Sequence, residues 1–190
     1  MDLLIASNNK FKVREIKEIL KDKFSNIYSL EEKGIDIEIN EIGKTFYANA
    51  LIKAETIAIL TSMPVIADDS GLCVDALEGD PGIYSARYAG YPCDDKANNE
   101  KLLLELADYE DRNAEFVSEV VLYINSRKIL SGKGEVKGHI LKEYRGSEGF
   151  GYDPLFFSLE LGKTFGEATM SEKNTISHRA RALADLVSKL

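Results

Sequence analysis

Apolar positions set the rhythm of this chain. The first segment, LLIAS, is a short apolar run of strand type. Phe11, Val13, Ile16, Ile19 and Leu20 then recur at helical spacing through KFKVREIKEIL, and Asn8 and Asn9 stand ahead of them as side chains able to cap a helix. Ile35, Ile37 and Ile39 alternate with Asp36, Glu38 and Asn40, the pattern of a strand with one wet face. Gly43 closes that segment, Thr45 can cap, and FYANALIKAETIAIL reads as a long helix. PVIAD is a second short buried strand, ended by two aspartates and a glycine-bearing polar turn. DDKANNEKLLLELA is helical, and the β-branched and aromatic run EFVSEVVLYI predicts a central strand. Asn125-Ser126 marks a hairpin turn into a glycine-bearing strand pair, KILSGKGEVKGHI. PLFFSL is the last strand, and a final helix carries Leu183, Leu186, Val187 and Leu190 on one stripe.

No repeat, low-complexity linker or composition break interrupts this alternation. It predicts one α/β domain over residues 1–190, with a mixed sheet split into two lobes by a cleft. The apolar fraction of 44% and charged fraction of 29% are those of a globular protein. No apolar run approaches the roughly 20 residues a bilayer demands, and MDLLIASNNK lacks a basic leader with a long apolar stretch, so the expectation is a cytosolic protein with no membrane partner. Cys73 and Cys93 have no metal-type spacing and read as reduced thiols. A net charge of −8 repels nucleic acid at long range, whereas a small anion can still be held by local cations or a divalent metal.

Several stretches could carry chemistry. SNNKFK, residues 7–12, lies where a strand meets a helix N-terminus, a place that attracts phosphate, with Lys10, Lys12 and Arg14 adding charge. A capped helix with solvated lysines accounts for the same residues. Glu41 and Lys53, taken singly, read as surface charges. Asp68-Asp69 is a stronger signal, because a buried strand gains nothing from adjacent negative charges. On an extended backbone the two point to opposite faces, so one can reach a cleft while the other braces the loop. Magnesium is commonly held by one or two carboxylates plus substrate phosphates; an Asx-type turn is the competing account. In GSEGFGYDP, residues 146–154, glycines permit close backbone approach to a ligand and Phe150 or Tyr152 could stack on a flat base, or turn into the core. SEKNTISHRARAL puts Ser177 at an N-cap with His178 and Arg179 in the first turn, where cations oppose the helix dipole and make better sense beside an anion or polar ligand; Lys173 is just upstream. The common theme is phosphate, a flat ring and a metal.

SNNKFKVREI, IGKTFYANALIKA, ADDSGLCVDALEGDPGIYSARYAG, GFGYDPLFF and EKNTISHRARAL, in this order, resemble the inosine triphosphate pyrophosphatases, from about residue 3 to residue 187. The resemblance implies an elongated mixed α/β fold with flanking helices and a central cleft, a homodimer, and magnesium-dependent hydrolysis of ITP, dITP and XTP to monophosphate and pyrophosphate. By motif match Ser7, Asn8, Asn9 and Lys12 would form the phosphate loop, helped by Lys53. Glu41 and Asp69 would serve the metal, with Asp69 also the proton acceptor and Ser70 beside the substrate. Phe150, Gly151, Tyr152, Asp153, Lys173, His178 and Arg179 would surround the base. Asn8 stands where that family commonly has glycine, Glu148 interrupts the glycine run, and GEAT at 166–169 replaces an AEM-type stretch. Water would attack the α-phosphorus; a covalent aspartyl-phosphate route lacks a nucleophile-and-acid pair. A related pyrophosphatase of pyrimidine or modified nucleotides shares the architecture but begins with a serine-arginine phosphate loop. A nucleotide-binding regulator without turnover is the reading from another class, against which the intact set Lys12, Lys53, Asp69 and Lys173 argues.

Overall fold

The computed structural model describes every residue, Met1–Leu190. In chain order the elements are β1 (Asp2–Ile5), α1 (Lys10–Leu20), β2 (Asn26–Ser29), α2 (Phe46–Thr61), β3 (Val65–Val74), α3 (Asp95–Glu105), β4 (Asn113–Asn125), β5 (Lys128–Ile140), β6 (Phe156–Ser158), β7 (Lys163–Thr164), α4 (Met170–Ile176) and α5 (His178–Val187). The strands form a seven-stranded sheet in the order β2-β1-β3-β4-β5-β6-β7. It is mixed: β1 runs parallel to both β2 and β3, while β6 is antiparallel to β5 and β7. The chain divides into two compact units, one of Met1–Asp69, Ser118–Gly134 and Arg179–Leu190, the other of Ser70–Val117 and Glu135–His178.

In the first unit the two-residue period of the strands sorts side chains into two layers. Leu3, Ile5, Ile66, Val120 and Leu122 join Ile16 and Leu20 of α1 and Ala182, Leu183 and Leu186 of α5 in one cluster. Their neighbours Leu4, Ala6, Val65, Ala67, Val121 and Tyr123 join Ala50, Ala54, Ile57 and Ala58 of α2 in another. Burial on both faces is why LLIA and VIA read as unbroken apolar runs. Helix α5 lies directly on β5, where a Cβ at Gly132 would come within 2.1 Å of the Ala182 carbonyl oxygen, so only glycine fits. The second unit has its own core, in which Leu72, Val74, Leu102, Phe116, Leu155, Phe156 and Phe165 pack together.

Four expectations need correction. Residues 35–40 alternate as read, with Ile35, Ile37 and Ile39 against the α2-side core, yet the segment joins no strand. Its backbone is tied instead by Ile35 N–H to the Leu30 carbonyl and by Asn8 Nδ2 to the Ile37 carbonyl. Alternation reports which side is wet, while a ladder also needs a partner. The strand begun by PVIAD does not stop at the aspartates but continues through Ser70 and Gly71 to Val74. KILSGKGEVKGHI is one thirteen-residue strand rather than a pair. Leu190 lies beyond the end of α5 and is exposed. Thr169, the last residue of the GEAT stretch, caps α4 in a reciprocal pair with Glu172, a helix that sequence periodicity did not reveal.

Candidate functional site

The two layers of the first unit decide what Asp68 and Asp69 do. Asp68 shares the side of Ile66, facing α1 and α5, and Asp69 shares the side of Val65 and Ala67, facing α2. Both are buried, and their hydrogen-bond partners differ.

Asp68 is enclosed by cations. Lys12 Nζ of α1 lies 2.9 Å from its Oδ2, and Arg179 of α5 donates to the same oxygen through Nε at 3.2 Å and Nη2 at 3.1 Å. Ser118 of β4 donates to Oδ1 at 2.5 Å, and Arg179 Nη1 is also bound to Glu15, one helical turn beyond Lys12. Burial opposes the charge of Asp68, yet Arg179, Lys12 and Ser118 together hold its carboxyl far below the usual range. Burial likewise opposes the charge of Arg179, and Asp68 and Glu15 outweigh it, raising its affinity for the proton. Counted together, these two acids and two bases carry no net charge.

Asp69 has softer company. Asn49 Nδ2 of α2 donates to its Oδ2 at 3.1 Å, and Lys53 Nζ lies 3.4 Å from its Oδ1. Burial pushes the Asp69 carboxyl up, against the pull of Lys53 and Lys12. Lys53 is shared with a second carboxylate, Glu41, at 2.7 Å. Burial works against the Lys53 charge, but Asp69 and Glu41 prevail and raise its pKa. Asn49 and Lys53 are four residues apart and so lie on one helix face. Asn49 Oδ1 accepts from Gly43 N–H at 2.8 Å, which fixes the turn that follows Glu41.

The resemblance to magnesium enzymes can be tested on this donor set. Glu41 and Asp69 offer hard oxygen donors that already converge on one positive charge. No cluster of three or more metal-ligating side chains exists. A carboxylate pair completed by substrate phosphates is how magnesium is usually held, so the residues fit the ion.

At the start of α1, Asn9 is the cap: its side chain accepts from Phe11 N–H at 3.0 Å and Lys12 N–H at 3.1 Å, and Ser7 Oγ accepts from Asn9 N–H. Ser7, Asn9 and Lys12 are thus brought together, while the Asn8 side chain turns to Ile37. A groove of about 940 Å³ runs along the outer face of α1 and touches Ser7 and Asn8. Its cations Lys10, Arg14, Lys17 and Lys21 are balanced by Glu18, Glu31, Glu32 and Asp36, so it lacks the positive field a triphosphate requires.

The remaining candidates lie in the second unit, except Arg179. Lys173 of α4 is buried, with Nζ 2.7 Å from Asp153 Oδ2 and 5.0 Å from the centre of the Phe150 ring. Asp153 Oδ2 also accepts from Phe150 N–H at 2.9 Å. Gly149, at φ +76°, leaves room for that carboxylate: a Cβ there would come 2.0 Å from Asp153 Oδ2. Tyr152 is buried with its hydroxyl on the Ser85 carbonyl, and burial raises its pKa. The His178 ring stacks on Phe116 at 4.8 Å. Ser70 is half-buried in β3. Arg179 meets a different arrangement from the one its sequence context suggests, its guanidinium being committed to Asp68 and Glu15. Glu15, Asn49 and Ser118 were missed by sequence reasoning; Asn49 and Ser118 are polar residues set among apolar ones, which is the available signal, whereas Glu15 stands among the charges of KFKVREIKEIL and carries none.

A model of the Ham1 family matches residues 3–189. The chain belongs to the Ham1 family. It is 51% identical to a dITP/XTP pyrophosphatase of Clostridium perfringens, the match covering 98% of this chain and 96% of that protein. It is 48% identical to a dITP/XTP pyrophosphatase of Bacillus subtilis, over 100% and 96% of the two chains. Among solved structures, the Ham1 protein of Staphylococcus aureus superposes with a TM-score of 0.88 at 41% identity, covering 100% of this chain and 97% of that one. Ham1 membership agrees with the resemblance to inosine triphosphate pyrophosphatases carried by the sequence motifs, and the mixed sheet with flanking helices is shared with these Ham1 structures.

Proposed function

We propose that this protein is a magnesium-dependent pyrophosphatase of deaminated purine nucleoside triphosphates, converting ITP, dITP and XTP to the monophosphate and pyrophosphate in the cytosol and working as a homodimer. The relatives named dITP/XTP pyrophosphatase support the reaction class. The observation that carries the chemistry is the unequal treatment of adjacent carboxylates: Asp68 is neutralised by Lys12 and Arg179, while Asp69 meets a neutral amide and a lysine shared with Glu41.

In this reading Ser7, Asn9, Lys12 and Lys53 bind the phosphates. Glu41 and Asp69 would hold magnesium, whose chemistry when bound is neutralisation of charge on the phosphoryl oxygens. Water attacks the α-phosphorus, its proton passes to the Asp69 carboxylate, and the bond from that phosphorus to the bridging oxygen breaks, releasing pyrophosphate. A carboxyl whose pKa is raised is the better proton acceptor of the two, and Asp68 is too strongly held by cations to serve. For the base, Phe150 offers a ring face and Lys173 a donor. The 6-keto oxygen of hypoxanthine or xanthine accepts a hydrogen bond where the amino group of adenine would set donor against donor, a mismatch that can cost about 10⁴-fold.

Purified protein should be assayed against the common purine and pyrimidine triphosphates beside ITP, dITP and XTP. Turnover of the deaminated purines by a wide margin, abolished by a chelator and restored by magnesium, is expected. Preference for a pyrimidine triphosphate, or full activity in chelator, would refute the reading.

A further inference from the structure

Helix α3 contributes nothing to the residues assigned above, yet its first turn grips the loop that carries Phe150. Asp95 Oδ2 accepts a hydrogen bond from Gly151 N–H at 2.8 Å. Asn99, four residues later on the same helix face, donates through Nδ2 to the Gly151 carbonyl at 2.9 Å. Both polar groups of one residue are therefore held by one helix. Gly151 itself has φ +60°, a conformation side chains other than that of glycine rarely adopt, so this residue is a turn point whose orientation its partners must fix. Asn99 is 3% exposed, and its Oδ1 is buried with no hydrogen-bond partner. Leaving an acceptor buried in this way is unfavourable, and it leaves Nδ2 directed at the loop carbonyl, with Tyr144 also beside the amide. Turning the amide over would set Oδ1 against the Gly151 carbonyl, so the carbonyl decides its orientation.

The same loop is held from its other side by Asp153, which accepts from Phe150 N–H and Lys173 Nζ. Phe150 thus sits between two fastenings, one at its own N–H and one at the next residue. We propose that Asp95 and Asn99 are positioning residues for base recognition, setting through Gly151 the ring face that Phe150 presents to a 6-keto purine. This rests on the reading that residues 150–153 bind the base. The clamp and the carboxylates of the first unit have no member in common, so loss of the clamp weakens binding of the nucleoside part and spares turnover.

The test compares wild type with Asn99→Ala, Asp95→Ala and Asp95→Asn, using ITP as substrate and inorganic pyrophosphate, which has no base, as inhibitor. Removing one hydrogen bond should raise KM for ITP by about five- to tenfold. In both alanine variants kcat and the pyrophosphate inhibition constant should stay within about twofold of wild type. Asp95→Asn retains an acceptor oxygen for Gly151 N–H and should restore KM. Asp95 is exposed, so its variants keep the test open if Asn99→Ala fails to fold. An unchanged KM in Asp95→Ala overturns the proposal, as do parallel losses in kcat and pyrophosphate affinity, which would mark α3 as general scaffolding. Wild-type protein inert toward ITP overturns the proposed function and this proposal together; active wild type with unaltered variants overturns this proposal alone.

Discussion

Asp69→Asn is expected to lose two to three decades of kcat, or more, while melting no lower than the wild type. The loss follows from the role proposed for it: the amide cannot accept the proton of the attacking water and brings no negative charge to a metal, and removal of one strong electrostatic group costs about 10²- to 10³-fold. The unchanged stability follows from its surroundings. Burial raises the Asp69 pKa, so at neutral pH folding is working against its charge, and a neutral side chain of equal size removes that opposition. Lys53 keeps Glu41 at 2.7 Å and is not left as a buried lone cation. Steady-state kinetics with ITP and a thermal melt on the same preparation check both halves. A large fall in melting temperature would mean that Asp69 holds the fold together rather than carrying the reaction.

Asp68→Asn should behave in the opposite way. It removes the carboxylate that Arg179 and Lys12 share, both cations being buried or nearly so, and leaves Glu15 as the acid at Arg179. Breaking a buried ion pair from one side costs about 3–5 kcal/mol. At about 2–4 °C per kcal/mol for a chain of this size, the melting temperature should fall by about 6–20 °C. Below that melt, turnover should fall less than in Asp69→Asn. Arg179→Ala belongs to the same class, removing the guanidinium that Asp68 and Glu15 share and leaving Lys12 as the cation at Asp68, and should lower ITP and ATP turnover by a common factor. Differential scanning calorimetry with paired ITP and ATP titrations provides the check. Selective loss of ITP turnover in Arg179→Ala, with the melt unchanged, would put Arg179 at the base instead.

The opposition of these neighbours was legible in the sequence as geometry but not as chemistry. Adjacent strand residues must point to opposite faces, and the structure places Asp68 and Asp69 so. Which face held the cations depended on Arg179, 111 positions away, and on the layer to which α5 was assigned by packing. The helices α1, α2, α3 and α5 and the long strand β4 were readable because period and length agree. The strands β2 (NIYS) and β7 (KT) were not, since four and two residues of ordinary composition carry no period. Residues 35–40 had the alternation of a strand without a ladder, because pattern registers burial and pairing is a tertiary fact. Asn49 was overlooked for a similar reason. Inside FYANALIKA a lone asparagine looks like a weak helix former, and only its two hydrogen bonds, to Asp69 and Gly43, give it a purpose.

The most direct test of the account is hydrolysis of ITP with magnesium in ¹⁸O-labelled water, with products separated and weighed by mass spectrometry. Attack at the α-phosphorus predicts one labelled oxygen in IMP and none in the released pyrophosphate. Label in pyrophosphate, or IDP with orthophosphate as the products, would contradict it.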